Sequence, residues 1–178
     1  MQELLVDFIT SLDGYGAAEG WPGFWGLQGP EYLAWLGEQP ERDHTILMGA
    51  NTYRLMSGFS AEAETLEADE AAAVDELART PKVVFSSTLQ PPRDGAGPMR
   101  TLGSLALCRS LLAAGLVDRF RVVVFPVITG STGRDRIYDG YPDVALDMVA
   151  SRTFDGRLQL LEYLPTVLAG PPGTHPAS

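Results

Sequence analysis

The chain has one cysteine, two histidines and a single lysine, Lys82, in 178 residues. A lone thiol, Cys108, makes no intrachain disulfide, which fits a reducing compartment. His44 and His175 lie far apart and, with one cysteine, supply no metal-ligand spacing, so no metal is expected. A serine hydrolase using Ser104 or Ser131 lacks a paired base, because His44 is the one candidate and stands alone. No run of Lys/Arg occurs, and 13 basic against 23 acidic side chains leave a net charge of −10. Such a surface repels phosphate backbones and anionic lipid, so neither nucleic acid nor membrane is an expected partner. The longest apolar run, around Val122–Ile128, is far short of a membrane span. Met1-Gln2-Glu3 brings no basic start to the first apolar stretch, which Asp7 interrupts, so no secretory signal is read there. The expectation is a soluble, cytoplasmic chain.

What remains is ordinary globular material, 45% hydrophobic and 20% charged. Residues 1–168 are expected to form one domain, and the Gly/Pro-rich tail 169–178 to be disordered. Leu4–Thr10 reads as a mostly buried strand running into the turn Ser11-Leu12-Asp13-Gly14. A Gly/Trp-rich loop with Trp21, Phe24 and Trp25 follows, and Pro30 suits the first turn of a helix to about Gln39. Thr45–Met48 is a second strand, closed by Gly49 and followed by a helical stretch from Asn51 to Met56. Ala61–Arg79 reads as an acidic surface helix without chemistry, and Lys82–Phe85 as a third strand. After a Pro/Gly loop, Met99–Leu102 is a short strand; the next helix stops at Gly115, a favourable residue just past a helix end. Arg121–Ile128 is a Val-rich strand. Val144–Ala150 alternates with period two, and Asp155-Gly156 offers a type I′ hairpin turn to a partner strand, Leu158–Leu164. Strand–helix units leading to an antiparallel hairpin predict a mixed α/β sheet flanked by helices.

Three strand ends carry one physical device. At Gly49-Ala50-Asn51-Thr52 a buried strand meets a glycine and then a helix N-terminus, whose free amides favour an anion. Gly103-Ser104-Leu105 repeats it, and Ser86-Ser87-Thr88 ends a strand in three hydroxyls. Singly each is common turn chemistry; together, at the carboxyl ends of strands, they point to a phosphate-rich ligand. Asp13 before Gly14 closes an Asx turn or serves the chemistry. Trp21, Phe24 and Trp25 form a lid over a planar substrate or staple the loop to the sheet. Cys108 sits on the apolar face of its helix, where packing explains it.

Leu4–Gly14, Ile46–Tyr53, Val83–Thr88 and Gly103–Gly130, taken in order, resemble the dihydrofolate-reductase-like family. The nearer branch is the one similar to the reductase domain of the riboflavin-pathway bifunctional deaminase-reductase. The resemblance implies a mixed sheet, mostly parallel, with an antiparallel C-terminal hairpin and helices on both faces. It implies NADPH across the strand ends, with Gly49, Ala50, Asn51 and Thr52 meeting the pyrophosphate from one helix and Gly103, Ser104 and Leu105 from the other. Ser86, Ser87 and Thr88 would lie near the adenosine ribose and its phosphate, and backbone at Ile9 and Thr10 would hold the nicotinamide. Trp25, Tyr53 and Gly130 would border the substrate, with Asp13 as the catalytic group that orients it or relays a proton. The implied reaction is hydride transfer to a small heterocyclic (pterin- or pyrimidine-like) or ribityl substrate, by a homodimer joined through the antiparallel end of the sheet.

Three departures stand out. Where folate-reducing members carry a carboxylate in the first helix this chain has Tyr32, with Glu31 one residue away. Ala50 and Leu105 occupy helix starts where basic residues are frequent in the family. A strand and helix usual between Thr88 and Gly103 are replaced by a Pro/Gly bridge. The missing carboxylate and the shortened bridge favour the alternative of a non-catalytic nucleotide-binding or assembly module on the same fold.

Overall fold

An apolar run bounded by turn residues makes the first strand, β1 (Leu4–Ser11), which is largely buried along its length, as befits a central parallel strand. The structure, a computed structural model, describes residues 3–20, 25–61, 78–85 and 97–173. The expected helix over 61–79 and the loop over 91–98 fall mainly outside those residues. Trp21, Phe24, Ser86, Ser87, Thr88 and the end of the tail do so entirely.

On one side of β1 lie β5 (Met99–Thr101), β3 (Thr45–Gly49) and β4 (Lys82–Phe85), all parallel to it. On the other lie β6 (Arg119–Phe125), parallel, and then β9 (Leu158–Val167) and β8 (Val144–Phe154), which add the antiparallel hairpin. A small second sheet pairs β2 (Tyr15–Ala18) with β7 (Gly133–Arg136). Helices α1 (Pro30–Glu38), α2 (Ala50–Ala61) and α3 (Leu105–Ala113) connect the strands. Alternating side chains of β1 and β6 serve two cores. Val6, Phe8, Phe120 and Val122 pack with Cys108 and Leu112 of α3, while Ile9, Val123 and Phe125 pack with Tyr32 and Trp35 of α1. The sheet is therefore mixed, mostly parallel, and has helices on both faces.

Several local signals act as their chemistry demands. Asp155 and Gly156 have φ of 50° and 67°, the two positive values that a type I′ turn needs. Gly115, φ 66°, ends α3: its N–H donates to the Leu112 carbonyl and that of Leu116 to Leu111, a Schellman closure. Elsewhere the elements differ from expectation. β6 starts two residues earlier and stops at Phe125, because Pro126 has no N–H to donate. The Val127 carbonyl instead accepts from Leu12 N–H at 2.8 Å. Helix α2 runs on to Ala61 rather than stopping at Met56. The alternation of β8 does not sort into a buried and an exposed face. A bulge between Met148 and Ala150 breaks the register, and Leu146, Met148 and Val149 are all exposed.

Candidate functional site

Strands β3 and β5 are direct neighbours, so the loops at Gly49 and Gly103 meet at one rim of the sheet. A single side chain ties them. Ser104 Oγ accepts from Gly49 N–H at 2.7 Å and lies 2.9 Å from Thr52 Oγ1 in the first turn of α2. Gly103 and Ser104 both have left-handed backbone, φ 57° and 61°, and a Cβ on Gly103 would sit 3.2 Å from the Thr52 methyl. Glycine at 103 thus allows both the turn and the close approach. The tie engages the Gly49 amide. The first amides of α2 and α3 have no partner inside their helices.

These loops open into a cleft of about 1680 Å³, large against the few hundred Å³ of an ordinary small-ligand site. It gathers Ile9, Gly49, Ala50, Asn51, Thr52 and Tyr53, together with Gly103, Ser104 and Leu105 from the second loop. Ser86, Ser87 and Thr88 lie outside the described residues; Phe85, the last residue of β4, is paired with Gly49. Four expected residues are not in the lining: Thr10, Asp13, Trp25 and Gly130. Thr10 is buried, its hydroxyl donating to the Ser11 carbonyl at 3.0 Å. Trp25 packs on Phe125 with ring centroids 5.4 Å apart, which is the stapling role for that one residue of the aromatic loop.

Asp13 is a bracket between two loops. Its carboxylate accepts from Ser11 Oγ at 2.6 Å, Gly130 N–H at 2.9 Å and Thr129 N–H at 3.2 Å. The Ser11 hydroxyl, with the Gly130 and Thr129 amides, holds its pKa down to about 2 against a smaller opposing effect of burial. A carboxylate so held is ionised at neutral pH and acts there as a hydrogen-bond acceptor.

The family model for the RibD C-terminal domain matches residues 2–96 and 93–160. The chain belongs to the RibD C-terminal domain family. The two matched segments overlap at residues 93–96. Among solved structures, this RibD-type domain is similar to a pyrimidine reductase-like protein from Corynebacterium diphtheriae, at 13% identity and a TM-score of 0.62 over 93% of this chain and 92% of that one. It is also similar to the riboflavin biosynthesis reductase of Saccharomyces cerevisiae, at 14% identity and a TM-score of 0.58 over 93% and 90%. Against a bifunctional deaminase/reductase from Thermotoga maritima it has 14% identity and a TM-score of 0.59, covering 93% of this chain and 57% of that one. At these identities the likeness establishes the fold. No curated protein sequence matches the chain.

In this RibD-type domain Tyr32 is a core side chain. Its ring lies 5.6 Å from Phe125 and 5.7 Å from Phe154, and Trp35 stacks beside it at 5.8 Å. Burial, reinforced by the charge of Asp7, pushes its phenol far above the ordinary range, so Tyr32 stays neutral. Glu31 faces away, toward the β8–β9 hairpin, where its carboxylate accepts from Asp155 N–H.

An ionic network under α1 went unread in the sequence. Asp7 and Arg121 are cross-strand neighbours on β1 and β6 and form a two-pronged pair, Nη2–Oδ2 2.6 Å and Nε–Oδ1 3.2 Å. Arg121 also donates to Glu41 at 3.0 Å and Gln39 at 2.6 Å, and its guanidinium lies 4.9 Å from the Trp35 ring centre. Glu41 in turn meets Arg119, which pairs with Glu3 and Glu162. Burial alone would raise the Glu41 pKa; the charge of Arg121 and the hydrogen bonds it receives outweigh that and lower it. One signal was available: a charged residue inside each of two strands otherwise built to be buried, Asp7 in β1 and Arg121 in β6.

Proposed function

We propose that this chain is an NADPH-dependent reductase that delivers a hydride to a small heterocyclic, pyrimidine- or pterin-like, or ribityl substrate. The observation that carries the reading is the Ser104 tie. It brings the Gly49 and Gly103 loops, with the N-termini of α2 and α3, to one edge of one large cleft. Those residues fit a dinucleotide. Helix-start amides would face its pyrophosphate, glycine at 103 lets that loop turn and pack closely against Thr52, and Arg54 in the second turn of α2 adds a positive charge to the lining. The names borne by the similar proteins, pyrimidine reductase-like and riboflavin biosynthesis reductase, point the same way.

When bound, NADPH supplies the hydride. The protein's own part is to hold and orient. Ala50, Asn51 and Thr52 with Leu105 would hold the phosphates, Ile9 lines the cleft, and Tyr53 would border the substrate from α2. Asp13 is assigned a positioning role: through Thr129 and Gly130 it sets the loop after β6 against the turn after β1. Ile9, Tyr32 and Val123 give the lining an apolar part, where the protein would orient a substrate rather than bond to it covalently. We place the enzyme in the cytoplasm, as a homodimer joined through the exposed apolar side chains of β8 and β9. Titration of intrinsic NADPH fluorescence with the full chain tests the reading. Saturable binding is expected, and no binding at high micromolar concentration would favour the non-catalytic module instead.

A further inference from the structure

The cleft is chemically two-ended. One end holds the helix N-termini and Arg54. The other, between β1 and α1, is lined by Ile9, Tyr32, Trp35 and Leu36, with two polar side chains, Asp7 and Gln39. The network behind them contains four carboxylates (Glu3, Asp7, Glu41, Glu162) and two guanidiniums, Arg119 and Arg121, so it carries two excess negative charges. The guanidinium is hidden from the cleft and the carboxylate is not. The Arg121 side chain retains 2% exposure and Glu41 5%, whereas Asp7 retains 20% and belongs to the lining. A carboxylate offers about four lone-pair directions. Arg121 uses one on each oxygen of Asp7, which leaves one on each for a ligand. The two-pronged pair also fixes the plane of the carboxylate before any ligand arrives. Arg100 also lines the cleft, from β5.

We propose that Asp7, held by Arg121, selects the substrate at the β1–α1 end of the cleft, taking the N–H donor edge of an amino-substituted nitrogen heterocycle in preference to an anionic group. The apolar side chains of Ile9, Trp35 and Leu36 in the lining suit the apolar body of such a ring. A phosphate or carboxylate placed there would face Asp7 and the excess negative charge behind it, so any anionic part of the substrate belongs at the helix-N-terminal end. The assignment rests on the reductase reading for the word substrate, but the binding preference is measurable without turnover.

Three small probes on the full chain test it by ligand-observed NMR titration: 2,4-diaminopyrimidine, 2,4-dimethylpyrimidine and orotate. On the wild-type chain the diamino compound is expected to bind on the order of tenfold tighter than its dimethyl isostere, the loss of a charge-assisted pair, with orotate weakest. Asp7→Asn should erase that preference while leaving NADPH affinity unchanged, an outcome that a purely structural role would not produce. Equal binding of the diamino and dimethyl compounds to the wild-type chain, or a preference for orotate through Arg100, overturns the proposal whether or not the variant folds. If NADPH fails to bind while the diamino preference holds, the reductase reading falls and the Asp7 assignment stands.

Discussion

Glu31 and Asp155, 124 residues apart, cap one another. The Asp155 carboxylate accepts from the backbone N–H of Glu31 at 3.0 Å and of Tyr32 at 3.3 Å, while Glu31 Oε2 accepts from Asp155 N–H at 2.6 Å. This is the reciprocal logic of a capping box, with the cap supplied by a hairpin turn instead of by the residue before the helix. It seats α1, and with it Tyr32 and Trp35, over the sheet. A Cβ on Gly29 would collide with that carboxylate, so glycine at 29 is required for the cap rather than for its own backbone.

Asp155→Ala is expected to cost about 1 kcal/mol of stability, the usual worth of a helix cap, read from urea denaturation. Gly29→Ala should cost a similar amount by displacing the same carboxylate. Because both act through one interaction, the double variant should be no worse than the worse single one; additive losses would show that Gly29 matters for another reason.

Ser104→Ala removes the oxygen that joins the two rim loops. The expected stability loss is about 1 kcal/mol, with NADPH affinity several-fold weaker as the loops separate. Full retention of both, by denaturation and fluorescence titration, would show that strand pairing alone sets the rim.

The Asp13 carboxyl contributes to stability through its folded-state pKa, lowered from 3.8 to about 2. A depressed carboxyl pKa stabilises above the unfolded value and loses that effect as pH falls through the folded one. The contribution is thus complete above about pH 4 and disappears toward pH 2. In an acid titration followed by NMR, the Thr129 and Gly130 amide resonances should move with a midpoint near 2. Asp13→Asn should abolish that step and reduce turnover while sparing NADPH binding. A midpoint near neutrality would restore a proton-relay role.

Met148 is 57% exposed on the edge strand β8, where Leu146 and Val149 are exposed as well. An open edge carrying such a patch invites a second copy. Met148→Glu is expected to convert a dimer to a monomer in light scattering after size exclusion, with the secondary structure unchanged by circular dichroism. A monomeric wild-type chain would remove the homodimer proposal.

Much of the fold was legible locally. The buried runs of β1 and β3, the Asp-Gly turn at 155–156 and the stop at Gly115 each follow from period, sterics or backbone freedom within a few residues. The paired glycine loops at 49 and 103 were also visible, as two separate strand ends. Their meeting was not, because it depends on β5 inserting between β3 and β1, an order that no local pattern encodes. The same holds for Asp13, whose partners Thr129 and Gly130 come from another loop, and for Trp25, which finds Phe125 only in three dimensions.

By itself, then, the sequence determined the class of sheet, the identity of its turns and the presence of anion-suited strand ends. These are consequences of backbone sterics and of where apolar side chains recur. Tertiary structure alone decided which polar groups face the cleft and which are spent on one another. Asp7 reads in the sequence as an interruption of a hydrophobic run; the parallel register with β6 makes it the partner of Arg121, 114 residues away. Charge pairing at that separation follows from strand order and register, and those are settled only when both faces of the sheet are buried together.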